Sequence, residues 1–226
     1  MSESYSLPPG YSLRRLSEAD LPALHALNRG VAAALHDPGA FRLFGGAEAF
    51  FAAHLGGRGA SIGIFDAARL CAYGALTRPR AEDVDNYARD LGWAEERAAR
   101  VALLSAAMVE PSGRGRGLHA ALIRARLALA MELGHAEVLA RAAPANARSR
   151  RNLLAAGFAI VWLGVQAEGS LRHLYWRPAG VAARTAGPLT WVAAADLMAQ
   201  QVLLADGRIG CAARAEDDAI GFALRG

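Results

Sequence analysis

The sequence predicts an α/β (more closely α+β) domain, helices flanking a sheet, followed by a small C-terminal α/β extension. Three observations predict it. Short apolar runs of strand length alternate with segments that repeat at three- and four-residue steps. At Val101 to Leu133 a strand, a glycine-rich turn and a helix follow one another directly. A hydrophobic fraction of 54% against 20% charged residues over 226 positions can close a sizeable core and excludes a disordered chain.

Taken in order, residues 1 to 10 read as a lead-in ending in the breaker Pro8-Pro9-Gly10. Tyr11 to Leu16 is a short edge strand. Ser17 then caps a helix, with Asp20 at the capping-box position and Leu21, Leu24, Leu27, Val31 and Leu35 on one stripe. Asp37-Pro38-Gly39 ends it. A second helix runs from about Ala47 to Leu55 and stops at Gly56-Gly57. Ser61 to Phe65 and Leu70 to Thr77 form a hairpin around Asp66 to Arg69. Residues 79 to 100 are an insertion with four acids between Glu82 and Asp90. It reads either as a solvent-facing helix or as an acidic wall for a cationic amine.

The apolar run Val101 to Val109 is too short to span a membrane and reads as a buried strand. Pro111 stops it, and SGRGRG (Ser112 to Gly117) follows. Leu118, Ala121, Leu122, Ala125, Leu129 and Leu133 then keep helical spacing up to a C-capping Gly134. A strand, a glycine-rich turn and a helix N-terminus make a phosphate site, because the first helical N–H groups lack partners and the helix dipole is positive there. Arg114 and Arg116 add formal charge. A Walker loop is excluded, since the chain has no lysine. The dinucleotide fingerprint is matched literally by Gly115, Gly117 and Ala120, but Pro111 interrupts the strand-to-glycine step and the next strand closes at Arg141 rather than at an acid.

The run MVEPSGRGRGLHAAL resembles the acetyl-CoA motif of the GNAT acetyltransferases, V-x-P followed by R/Q-x-x-G-x-G/A. Val109 and Pro111 supply the first part, Arg114 and Gly117 two anchors of the second. His119 stands where that family prefers Gly or Ala, implying either a different pyrophosphate approach or reliance on the backbone alone. The resemblance covers residues 10 to 178 as an order of elements. It implies a mixed, mostly antiparallel sheet, with EVLARA (Glu137 to Ala142) as fifth strand, Asn146 to Ala156 as fourth helix and Gly157-Phe158 opening the sixth strand. It further implies acetyl-CoA held by Met108, Val109, Arg114, Gly115, Arg116, Gly117, Leu118, His119 and Asn146, Asn146 being an N-cap by its residue type as well.

Acetyl transfer to an amine needs a neutral amine, a stabilised oxyanion and a leaving thiolate. Many GNAT proteins carry a tyrosine acid about four residues before the Gly-Phe pair, and Leu153 stands there instead. The candidates that remain are Ser105 in mid-strand, Asn152 beside Leu153, and Tyr175 on the last core strand, with Glu110, Asp83 and Asp85 as further acids. By the same comparison His36, Phe41 and Phe44 border the acceptor site, although a core-facing aromatic pair is the better reading of the two phenylalanines. The expected reaction is N-acetylation of a primary amine on a small acceptor. The alternatives are a CoA-binding module without turnover and, more distantly, a nicotinamide-dependent oxidoreductase.

Val161 to Val165 and Leu171 to Trp176 read as an antiparallel pair, and Pro178 to Gly187 as a linker. The tail is predicted as strand Leu189 to Val192, helix Ala194 to Leu204, and strands Ile209 to Ala213 and Ala219 to Leu224, a unit too small to bury its own apolar surface. The resulting division is an acetyltransferase domain over 1–178 with an extension, 188–226, packed on it, since the short linker favours the chain's own body over a second copy in a homodimer. Two cysteines, Cys71 and Cys211, imply a reducing compartment, and the cytoplasm is the default. The net charge of +4 comes from scattered arginines, so no nucleic-acid partner is expected. The densest group, Arg148, Arg150 and Arg151, flanks the expected cofactor. No membrane span and no metal-ligand spacing occurs.

Overall fold

The computed structural model describes residues 7–35, 43–166 and 169–226. In chain order the elements are β1 (Tyr11–Arg15), α1 (Leu21–Ala33), α2 (Ala47–Leu55), β2 (Gly59–Asp66), β3 (Arg69–Thr77), α3 (Glu95–Ala98), β4 (Val101–Val109), α4 (Leu118–Glu132), β5 (Glu137–Ala142), α5 (Ala147–Ala155), β6 (Ala159–Val165), β7 (Leu171–Pro178), β8 (Thr185–Ala193), α6 (Leu197–Ala205), β9 (Arg208–Arg214) and β10 (Ala219–Arg225). The strands form one sheet in the order β1-β2-β3-β4-β5-β7-β6-β9-β10-β8. Only β4 and β5 run parallel, and every other neighbouring pair is antiparallel.

Successive side chains on a strand point to opposite faces, so the two faces of this sheet can be read from its residues. Ala72 and Leu76 of β3 join Leu118, Leu122 and Leu129 of α4 and Leu153 and Leu154 of α5 on one face. Tyr73 and Ala75 join Leu24, Leu27 and Val31 of α1 and Phe51 of α2 on the other. Nearly all-apolar β3 and β4 are covered on both sides, which is why they carry apolar runs rather than alternation. Gly134 adopts φ +77° after α4, and His135 N–H donates to Ala130 O, the glycine stop the sequence predicts.

Two elements differ from expectation. The acidic stretch before β4, whose Asp83 and Asp85 line a cavity beside α2, is not a solvent-facing helix. It is a series of turns with one short helix, α3, packed over Leu103, Leu139 and Leu174 through Tyr87 and Ala88. Asn86 holds it from inside, donating to Arg80 O and Ala98 O, so turn chemistry outweighs the helical pattern. The segment read as a linker contains the start of β8 at Thr185, whose partner is the C-terminal strand β10, with Arg225 opposite Thr185. From there the chain continues the same sheet, through Ile160 of β6 opposite Gly210 of β9. Gly210 has no room for a side chain that does not push on Ile160, Ile220 and Phe222, each 3.2 Å from where its Cβ would stand.

Candidate active site

The parallel pairing of β4 and β5 stops at Leu104 opposite Ala140. Beyond it β4 keeps only β3 as partner and β5 only β7, so two strand edges part and leave backbone N–H and C=O groups facing a wedge. A β-bulge sits at the point of parting. Ala75 pairs with Ala106 and Leu76 with Leu104, which leaves Ser105 out of the ladder. The wedge opens into a groove of about 640 Å3 lined by β4 from Leu104 to Val109, by Ala140 to Ala143, and by the starts of α4 and α5.

The approach to α4 explains the glycines. Gly115 and Gly117 stand at φ +81° and +75°, the left-handed region that side chains with a Cβ avoid. Their conformation turns the chain so that α4 starts at Leu118 with its first N–H groups free of helical partners. Arg114 and His119 line the groove, whereas Arg116 turns away and donates to the Tyr11 hydroxyl at 3.0 Å. Asn146 is both a groove residue and a helix cap, its Oδ1 accepting from Ser149 N–H at 3.0 Å.

His119 is held in one orientation. Asn152 Nδ2 donates to its Nδ1 at 2.9 Å, so the ring proton resides on Nε2. Burial, reinforced by the positive charges of Arg126 and Arg148, pushes its pKa down to about 4. A neutral imidazole at a phosphate loop adds a donor without adding charge.

Arg126 of α4 is the residue the sequence reading missed. It is 1% exposed, yet it lines the groove floor. Its Nη1 donates to Ala75 O and Ala106 O at 3.1 and 3.0 Å, and its Nε to Leu122 O at 3.0 Å. It therefore clamps the two strands across the bulge. Gly74 makes room for it, since a Cβ there would lie 2.9 Å from Nε. Burial lowers its pKa to about 10, which leaves it cationic at neutral pH. The available signal was an arginine four residues after Leu122 and three before Leu129, on the apolar stripe of its helix.

The predicted site residues separate accordingly. Ser105, Met108, Val109, Arg114, His119 and Asn146 meet at the groove, and Gly115, Gly117 and Leu118 shape the loop behind it. Asn152 acts through His119. Tyr175 does not line the groove: it is fully buried in the core, its hydroxyl has no partner there, and burial pushes its pKa up. Of the arginine group on α5 only Arg148 lines the groove. Arg150 is buried and donates to Pro144 O and Asp218, and Arg151 faces the same aspartate. Glu110 is engaged with Arg69. Leu153 lines the groove where the family tyrosine was expected.

A second cavity of about 340 Å3 lies beside α2, lined by Phe44, Phe50, His54, Arg58, Asp83 and Asp85 among others. Arg58 binds Asp83 Oδ2 at 3.0 Å and Asp85 Oδ1 at 2.5 Å, so these acids face Arg58 and not the main groove. Phe44, 55% exposed, borders both cavities. His36 and Phe41 lie outside the described residues.

No protein-family model matches the chain, and no curated protein sequence does. Solved structures do. The ribosomal-protein-S18-alanine N-acetyltransferase of Escherichia coli superposes with a TM-score of 0.54 at 15% identity, over 78% of this chain and 99% of its own. A GCN5-related N-acetyltransferase from Kribbella flavida gives 0.54 at 20% identity, over 76% and 99%. YncA of Salmonella typhimurium, a protein described as a putative acetyltransferase and determined with acetyl-CoA, gives 0.54 at 18% identity, over 77% and 97%. The fold is therefore that of the GNAT acetyltransferases. Within it, the described helices include none long and apolar enough to cross a membrane.

Proposed function

We propose that the protein is an acetyl-CoA-dependent N-acetyltransferase acting on the primary amine of a small acceptor. The observation that carries this reading is the wedge between β4 and β5, which runs directly to the free N-terminus of α4. Unpaired strand edges suit an extended, amide-bearing chain such as the pantetheine arm, and the helix N-terminus suits a pyrophosphate. Arg114 and Arg148 supply cations at the same end. In this reading Met108 and Val109 present backbone groups to the arm. Gly115 to His119 present amides to the phosphates, and Asn146 borders the arm from α5. The bound donor supplies an activated acyl group, and the groove supplies its orientation and the exclusion of water. Phe44, Val31 and Leu35 form the apolar side from which an acceptor reaches Ser105.

Calorimetry with acetyl-CoA tests the first half. Absence of binding at millimolar ligand sinks the proposal. Thiol release across a panel of primary amines tests the second half, and binding without release for every amine would leave a CoA-binding module instead. The loop gives a sharper test. Nothing lies within 4 Å of a Cβ built on Gly115 or Gly117, so a side chain there acts through backbone strain alone. Gly117→Val should weaken CoA by more than about 1 kcal/mol, because it misdirects the amides. Arg116→Ala should lose less, since that guanidinium is turned toward Tyr11. Equal losses would mean that side-chain charge carries the binding.

A further inference from the structure

Ser105, the bulge residue facing the groove, is the outer end of a buried hydrogen-bonded chain. Its Oγ contacts Thr77 Oγ1, and Thr77 Oγ1 lies 2.7 Å from His54 Nε2. On the far side of the ring His54 Nδ1 lies 2.7 Å from Phe50 O. A carbonyl only accepts, so Nδ1 carries the proton and Nε2 presents its lone pair to Thr77. The direction of every hydrogen bond follows. Thr77 donates to His54, Ser105 donates to Thr77, and the Ser105 lone pairs are left to the groove. Thr77 is 1% exposed and His54 3%. The ring is stacked on Phe50 at 3.9 Å, so the chain is held rigidly. Two hydroxyls and an imidazole aligned in one direction, from a groove to a buried base, are more than two side chains satisfying each other.

We propose that Ser105, Thr77 and His54 form a proton relay that removes the proton of the attacking amine. The proposal rests on the transferase reading above. As the amine nitrogen bonds to the acyl carbon and the carbon–sulfur bond breaks, the nitrogen proton passes to Ser105 Oγ. The Ser105 proton moves to Thr77, and the Thr77 proton to His54 Nε2. The electron pair of the broken bond leaves on sulfur as thiolate. The imidazolium formed then returns that proton along the same chain, from Nε2 through Thr77 and Ser105 to the thiolate or to water in the groove, which restores the Nδ1–H tautomer. Ser105 is the catalytic residue here, and Thr77 and His54 act through it.

The charges around His54 fit this task. Burial and the nearby Arg58 lower its pKa, with the Phe50 carbonyl and Asp85 opposing, so the ring is neutral and able to accept at neutral pH. Asp83 shares Arg58 with Asp85 across the second cavity, and Ser61, bonded to Tyr73, holds the His54 carbonyl.

Two measurements test the relay independently. Nitrogen NMR of the full chain should show His54 as the neutral Nδ1–H form at pH 7, with its Nε2 resonance moved by Thr77→Val. Thiol release from acetyl-CoA, with hydroxylamine as a small acceptor that needs no specificity pocket, should fall by roughly 10²-fold in Ser105→Ala and Thr77→Val. Calorimetric affinity for CoA should stay within about twofold. Thr77→Ser should restore the rate, and Thr77→Val should flatten the acid limb of the pH profile. An Nε2–H tautomer, or a Thr77→Val protein with wild-type rate and pH profile, overturns the relay. A wild-type protein that fails to bind acetyl-CoA overturns the transferase reading itself, a result the calorimetry separates from the other two.

Discussion

Deletion of residues 188–226 is expected to give a chain that aggregates or melts well below the full-length protein. The tail is bound to the rest by three kinds of contact. Ile220 and Phe222 of β10, both 0% exposed, belong to the same apolar cluster as Leu122 of α4 and Ile160 of β6. Burying one such side chain is worth about 1.5–3 kcal/mol, so losing these two and Ile209 removes several kcal/mol from a total stability of about 5–15. Gln200 of α6 reaches His173 of β7 at 2.8 Å, and its amide holds Ala193 O and Ala194 O. Arg150, 1% exposed, donates to Asp218 at 2.6 Å across the β9–β10 turn. The deletion strands that guanidinium in the core and bares the edge of β6, a template for pairing with other chains. Asp218→Ala is a milder version. Its carboxylate is 51% exposed, so water can replace part of what is lost, and about 1–3 kcal/mol is expected. Chemical denaturation and size-exclusion chromatography read both variants. A truncated monomer with an unchanged melting temperature would show that the tail is independent.

What the sequence disclosed depends on where the determining partners lie. β4 was legible to the residue, Val101 to Val109, because an unbroken apolar run between Arg100 and Glu110 and the stop at Pro111 are local signals. α2 was equally so, bounded by paired glycines on both sides. The glycine-rich turn ahead of α4 was legible from residue type alone, although the positive φ of Gly115 and Gly117 came only with the structure. These are short-range effects, and one chain suffices to read them.

The misreadings share the opposite property. Arg126 looked like any helix arginine, because the carbonyls it clamps belong to Ala75 and Ala106, 51 and 20 residues away. Arg150 looked like a cofactor contact, because its partner Asp218 is 68 residues away. His54 carried no signal at all: the hydroxyl that gives it meaning is Thr77, 23 residues on, across a hairpin. The acids of 79–100 suggested a solvated helix or an acidic wall, while Asp83 caps a turn through Arg80 N–H and Asp90 accepts from Gln166. Tyr175 was attractive for its chemistry, but strand parity turns it toward the core, with Ala140 and Ile160 as its cross-strand neighbours. Polar residues buried by distant partners are where a functional site is built, and a pattern of local periodicity does not report them.

Acid should destabilise this protein early, and His173 is a main cause. The ring is 0% exposed, donates from Nε2 to Gln200 Oε1, and leaves Nδ1 buried without a partner. Burial pushes its pKa down to about 4, only partly opposed by Gln200. In the unfolded chain the same group titrates near ~6.5. Between those values the unfolded state binds a proton that the folded state refuses, so stability is complete above pH ~6.5 and is lost as pH falls toward 4. The difference corresponds to roughly 3 kcal/mol. His173→Gln keeps a donor for Gln200 and removes the titration. Its unfolding free energy should therefore fall by about 3 kcal/mol less between pH 7 and pH 4 than that of the wild type. His54, His119 and His135 are lowered as well and titrate in both proteins, so they cancel in the comparison. Parallel stability curves for the two proteins across this range would mean that His173 is not the buried neutral group its surroundings dictate.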